Sequence, residues 1–344
     1  MVDPVWSKPS PQVQGFVADE MAAAFSIAEM RGIAGSIGID RGDQPATARR
    51  SEDFTRSIIE RAVERGSFFE LVRRAAQARP RRSTLAWLPV TLPSMELASS
   101  VPATRSVDPG LELRNAKEHI VALTQLLGRI CCLEADGAPL GTGILIGPDR
   151  VLTSAHLFTR DSETPRIPKT LVFRFGYEES DTVGTPVRVR EQSPVLAWSP
   201  VARADGGERP ALDYILLSLA RSPASDVVDE ASKRLRGSVD VSSTIELPPP
   251  DRIVQIFQHA EGEPTSLSIG TITGSDRVAA RLYYSLTTRM GSSGGGVFDL
   301  RNVPIGLHRG RVKRDGRTLG QGIPMAMIVR DMERQLTCDH GDGG

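Results

Sequence analysis

Three short segments carry residues that could act on a substrate together: Val151-Leu-Thr-Ser-Ala-His156, Leu212-Asp-Tyr-Ile-Leu-Leu217 and Gly291-Ser-Ser-Gly-Gly295. A serine hydroxyl is a poor nucleophile near neutral pH. It needs a base within hydrogen-bond reach, and an imidazole base needs a carboxylate that fixes its tautomer and stabilises its cation. Ser293, His156 and Asp213 are the residue types that supply these parts, so the chemistry on offer is acyl transfer through an ester on Ser293. The glycines beside Ser293 let the backbone curl so that the N–H groups of Gly291 and Ser293 aim at one point, where a tetrahedral oxyanion would form. Each segment alone has a plain reading: a Gly/Ser run is ordinarily a loop, Asp213 a strand-edge charge, His156 a core histidine. Only their joint occurrence, each in a β context, carries the chemistry. Gly141 to Gly147 has the wrong spacing for a dinucleotide fingerprint.

The elements that must position these groups differ along the chain. From Phe16 to Ala78 the apolar residues recur at helical spacing, as in Phe54, Ile58, Ile59 and Ala62 or Phe68, Phe69 and Val72, which predicts a compact all-α bundle closed by Arg79-Pro80. Scattered Pro, Ser and Thr between Pro80 and Pro109 read as a linker. Leu113 to Leu127 reads as one more helix, with Ile120, Leu123, Leu126 and Leu127 on a single face. After Arg129 the texture becomes short β-rich runs between Gly, Pro and Asp turns, the pattern of a barrel or sandwich, and Pro324 introduces a closing helix over Met325 to Leu336.

The 344 residues balance 42 Lys and Arg against 42 Asp and Glu, so no basic stripe calls for nucleic acid or an anionic membrane, and the expected partner is protein. No apolar run approaches the roughly 20 residues of a membrane span, and no signal peptide is expected at the start. Three cysteines, two of them the adjacent Cys131 and Cys132, offer no CxxC spacing. They read as small apolar fillers in a reducing compartment, so the expectation is a cytoplasmic protein without metal or cofactor.

The order His, Asp, Ser, with the T-x-A-H, D-x-x-L-L and G-x-S-G-G motifs, resembles the trypsin-like (chymotrypsin-fold) serine proteases over about Arg129 to Leu336. The resemblance implies an all-β double barrel with a C-terminal helix. It makes His156 the general base, Asp213 its orienting carboxylate and Ser293 the nucleophile, with the oxyanion hole at Gly291 and Ser293. The family's specificity pocket would fall on Thr287, Thr288 and His308. Thr288 with His308 resembles the glutamate-specific branch and the glutamine-specific viral relatives, so a preference for Glu or Gln before the scissile bond is expected, with Glu gaining as His308 titrates near its ordinary 6.5. Two departures stand out. Neutral Ser292 replaces the aspartate that receives a new N-terminus in secreted trypsins, and Gly296 replaces a proline, which suggests a looser loop.

The helical front end, through Ala24-Phe25, Ile59-Glu-Arg-Ala62, Arg65-Gly66 and Leu71-Val72, resembles the effector-associated domains, small death-like modules of bacterial conflict and signalling systems. The organisation expected is therefore a recruitment domain over 1–80, a linker over 81–112 and a protease domain over 113–344. The function implied is a serine endopeptidase in a bacterial defence or signalling system, brought to its substrate by a protein with a like helical domain. The alternative is a quiescent adaptor or peptide-binding scaffold on a protease fold.

Overall fold

The computed structural model describes residues 9, 11–45, 50–78, 116–159, 164–178, 184–201, 210–229, 233–242, 247–286, 288–314 and 316–338. The linker expected over 81–112 and Thr287 lie outside them. The chain divides into two compact units, Met1–Thr124 and Gln125–Gly344.

The first unit is an α-helical bundle of α1 (Pro11–Ala24), α2 (Ile27–Ser36), α3 (Ser51–Glu64) and α4 (Phe68–Ala78). In α4 the buried positions Phe68, Leu71, Val72 and Ala75 follow the i, i+3, i+4, i+7 rule and join Met21, Met30, Phe54 and Ile58 in one core. Ser26 begins α2 with a capping box closed by Glu29. The Arg65-Gly66 pair ends α3 in a Schellman turn: Gly66, at φ +67°, donates to Val63 O, and Ser67 N donates to Ala62 O at 2.8 Å. Helix α5 (Ala116–Leu127) runs across the division and precedes the first strand.

The second unit is β-rich. Strands β1 (Ile130–Ala135), β2 (Ala138–Gly147), β3 (Arg150–Thr153), β4 (Val172–Phe175), β5 (Thr185–Arg188), β6 (Val195–Ser199) and β7 (Tyr214–Ser218) form one antiparallel sheet in the order β5-β4-β1-β2-β3-β7-β6. Asp136-Gly137, both at positive φ, makes the tight β1–β2 turn that such a dipeptide favours. A short hairpin of β8 (Val227–Asp229) and β9 (Arg234–Leu235) follows. Strands β10 (Ile253–Gln258), β11 (Ser266–Asp276), β12 (Arg281–Ser285), β13 (Gly296–Phe298), β14 (Pro304–Arg314) and β15 (Arg317–Pro324) then close into a barrel in the order β10-β11-β12-β15-β14-β13. Each sheet encloses its own apolar cluster, one around Phe173, Phe175, Ile215 and Leu217, the other around Val254, Ile256, Leu282 and Tyr284.

Of the two barrels expected, the second is closed and the first is not. The seven-stranded sheet curls until the residues after β5 meet the end of β7, where Val189 pairs with Leu219 in an isolated bridge and Arg190 N donates to Ser218 O at 2.9 Å. No longer ladder joins these edges among the described residues. Helix α6 (Met325–Cys338) follows β15 directly. Its Asp331 accepts from the buried Tyr214 hydroxyl at 2.8 Å, and its Gln335 bonds to Trp198 N and O, which ties the helix to β6 and β7.

Candidate active site

Antiparallel pairing of β3 with β7 sets Thr153 opposite Ile215, so the chain leaving β3 lies beside the chain entering β7. His156 follows β3 in a short 3-10 turn, Ala155–Leu157, and Asp213 precedes β7. Asp213 sits at φ +45°, a left-handed conformation that Asp tolerates better than most residues. It is held by its own N–H to Pro200 O at 3.0 Å and by Ala155 N to its carbonyl at 3.3 Å. Ser293 comes from the other sheet, on the loop before β13.

The three meet. His156 Nδ1 lies 2.8 Å from Asp213 Oδ2, and His156 N donates to Oδ1 at 2.9 Å, so the fully buried carboxylate grips both the ring and the backbone of the histidine. His156 Nε2 lies 3.0 Å from Ser293 Oγ. An Nδ1–H held by the carboxylate leaves Nε2 as the acceptor for the serine proton. This trypsin-like fold with the His156–Asp213 ion pair and the His156–Ser293 hydrogen bond has the arrangement of a serine-protease triad.

The loop that carries Ser293 is clamped on several sides. Thr142 N donates to Ser293 O at 2.9 Å, Gly294 N to His308 O at 2.8 Å and His308 N to Gly295 O at 2.8 Å. Thr142 Oγ1 donates to Gly291 O and accepts from His259 N. Gly294 stands at φ +84°, and a Cβ there would collide with Thr153 Oγ1 and Thr142 O. The Met290 carbonyl accepts from Glu261 N at 2.6 Å, which in a trans peptide turns the Gly291 N–H to the opposite side. Among the described residues neither the Gly291 nor the Ser293 N–H has a backbone acceptor.

Both departures from the family pattern have local explanations. Ser292 is wholly buried. Its Oγ accepts from Arg289 N at 3.1 Å while its own N–H donates to Arg289 O at 3.2 Å, so the turn closes on itself. Gly296 is a paired strand residue, opposite Phe257 and Leu307, and a Cβ on it would collide with the Phe298 ring. The glycine serves close packing rather than looseness.

Thr288 and His308 are both buried, and the Thr288 hydroxyl has no hydrogen-bond partner among the described residues. His308 Nδ1 lies 2.7 Å from the hydroxyl of buried Tyr284. Burial pushes the His308 pKa down to about 3, with the nearby His156 and Arg311 acting in the same direction. Desolvation disfavours the imidazolium and so works against titration near the ordinary 6.5. His259 is structural. Its ring bonds to Glu263 O and Thr265 Oγ1, stacks on Tyr177, and burial brings its pKa to about 4. Cys131 and Cys132 are buried free thiols, and desolvation raises both, Cys132 to about 12.

Three contributors escape a reading of the motifs. Thr142 lies in the Gly141-Thr-Gly143 segment, which could have marked it. Tyr284 and Arg309 carry no motif, yet Arg309 Nε donates to Asp213 Oδ2 at 2.8 Å.

Residues 141–307, just under half of the chain, match the family model described as a trypsin-like peptidase domain. No curated protein matches the chain. Among solved structures, the inactive form of Rv3671c from M. tuberculosis H37Rv is similar at 14% identity and TM-score 0.43, covering 67% of this chain and 94% of that one. The serine endoprotease from Yersinia pestis is similar at 12% identity and TM-score 0.44, with 64% and 66% covered. A Glu endopeptidase in complex with MPD is similar at 16% identity and TM-score 0.47, with 62% and 94% covered.

Proposed function

We propose that the chain is a serine endopeptidase that cleaves protein substrates through an acyl-enzyme on Ser293. The continuous line of contacts Asp213–His156–Ser293 carries this reading. His156 Nε2 takes the hydroxyl proton as Oγ attacks the scissile carbonyl. The oxyanion is received by the N–H groups of Gly291 and Ser293, whose loss one at a time costs such enzymes about 10²–10³ in rate. His156 then gives its proton to the leaving amine, and water, activated by the same base, releases the acyl group. Fluorophosphonate labelling tests it: wild type labels and Ser293→Ala does not, whereas an unlabelled wild type under all conditions returns the fold to the scaffold reading.

The specificity we assign is for Gln before the scissile bond. A substrate side chain that reaches Thr288 and His308 is desolvated, and a carboxylate there would meet a neutral imidazole rather than a cation. In the tautomer where the Tyr284 hydroxyl donates to Nδ1, the His308 proton sits on Nε2, and this N–H together with the unpartnered Thr288 hydroxyl suits an amide carbonyl.

The helical domain over 1–80, joined through 81–112 to the protease domain over 113–344, serves recruitment. It pairs with a like effector-associated domain on a partner in a cytoplasmic bacterial defence or signalling system. Its separate apolar core and its resemblance to death-like modules support this role. A chain lacking residues 1–80 should keep peptide cleavage and lose cleavage of its cellular target.

A further inference from the structure

The Asp213 carboxylate carries a contact that the triad does not require. Arg309 Nε donates to Oδ2 at 2.8 Å, the same oxygen that takes His156 Nδ1 at 2.8 Å, and Arg309 Nη1 donates to Gln321 Oε1 at 2.8 Å. Two such bonds to one oxygen hold the guanidinium and the imidazole nitrogens within twice that length of each other. A break in strand register delivers the side chain. His308 pairs with Gly322 and Gly310 with Gln321, so Arg309 is the extra, unpaired residue of a bulge in β14. Neighbours on a regular strand face opposite sides, and a bulge re-aims one of them. The Arg309 carbonyl also accepts from Ser293 Oγ at 3.2 Å, so this residue touches both ends of the triad.

We propose that Arg309 is a positioning residue that locks the Asp213 carboxylate and, through its fixed charge, keeps His156 serviceable as a base at lower pH than a neutral residue there would. The inference rests on the endopeptidase reading. Ser293 has one hydroxyl proton and two acceptors within reach. With the ring neutral, that proton goes to Nε2 and the site is competent. With the ring protonated, Nε2–H donates to Oγ, the hydroxyl proton turns to the Arg309 carbonyl, and no base is left. A guanidinium beside the carboxylate opposes the second state. The other charged and titratable groups here are Arg281 on β12, with Asp276 and Tyr283 near it, and on β14 Arg311 and the neutral His308. All of them stay in place when Arg309 alone is changed.

The test is the pH profile of fluorophosphonate labelling for wild type, Arg309→Ala, Arg309→Gln and Arg309→Lys, with the His156 ring followed by NMR across the same range. Both neutral variants should move the acid limb upward by about one pH unit, the size expected for a partly solvated charge near 5 Å. They should also lower the plateau, whereas Lys should keep most of the limb position but not the plateau, since it lacks the planar fork. Should Arg309→Ala fail to fold, the Gln and Lys pair decides. A limb and a ring titration unmoved in the neutral variants overturn the proposal. A wild type that never labels, with a ring titration that still moves in the variants, refutes the endopeptidase reading and leaves the coupling standing.

Discussion

The Tyr284 hydroxyl stands 2.7 Å from His308 Nδ1, with both side chains sealed from solvent. Burial raises the tyrosine far above its ordinary value and lowers the histidine, so this pair is neutral on both sides. A neutral donor can be offered to a substrate amide at no cost in charge burial.

Cleavage profiling on a peptide library should therefore show Gln exceeding Glu before the scissile bond, with a ratio that is flat from pH 5 to 8, since His308 protonates only near 3. His308→Ala should erase the preference while fluorophosphonate labelling of Ser293 persists. Tyr284→Phe should weaken it by about tenfold, the worth of roughly one hydrogen bond. A Glu preference that grows on acidification through 6.5 would instead require a cationic His308.

Acid should destabilise the fold through two histidines. His259 titrates at about 4 and His308 at about 3, against 6.5 for an unfolded histidine. Below 6.5 the unfolded chain binds protons that the folded chain refuses, so their contribution is intact above 6.5 and is lost as pH falls toward 4. While both are in play the slope is on the order of 3 kcal/mol per pH unit. Urea midpoints at pH 7, 6 and 5 should fall accordingly, and His308→Gln should remove about half of this slope.

Ser293→Ala and His156→Ala should each reduce peptide cleavage to the residual left by oxyanion and binding contacts, with unchanged circular dichroism. Asp213→Asn should cost about 10⁴ in turnover by freeing the wrong tautomer of His156. It also leaves the Arg309 guanidinium without its carboxylate, so a loss of stability should accompany it, which Ser293→Ala does not share.

These roles differ in how far the sequence discloses them. His156, Asp213 and Ser293 are readable because each lies in a short motif whose local backbone does the positioning. Most strands of the first sheet are readable from β-branched and aromatic runs, but β11, written Ser-Leu-Ser-Ile-Gly-Thr-Ile-Thr-Gly-Ser-Asp, has a loop-like composition and becomes a strand through pairing on both edges with β10 and β12. Whether the first sheet closes depends on edge contacts between residues far apart in sequence. Arg309 is hidden for the same reason: its direction follows from the register of β14 against β15, a property of two strands together.

The residue before the nucleophile offers a last test, because in secreted relatives of this fold an aspartate there waits for an ammonium, whereas Ser292 is fully buried and engaged with the backbone of Arg289. If these local bonds hold the loop, Ser292→Ala should orphan one buried N–H and cost about 1 kcal/mol, with a matching modest drop in labelling. Ser292→Asp should do far more damage, since it places a carboxylate where Ser292 has no exposure and only one backbone N–H to answer it. A penalty of about 3 kcal/mol or more follows from an uncompensated buried charge. The loop would shift to relieve it, and Ser293 labelling would fall while the rest of the β unit stayed folded. Chemical denaturation and labelling measured on both variants distinguish the cases: an aspartate variant as stable and as reactive as wild type would mean that an unseen cation already serves that position.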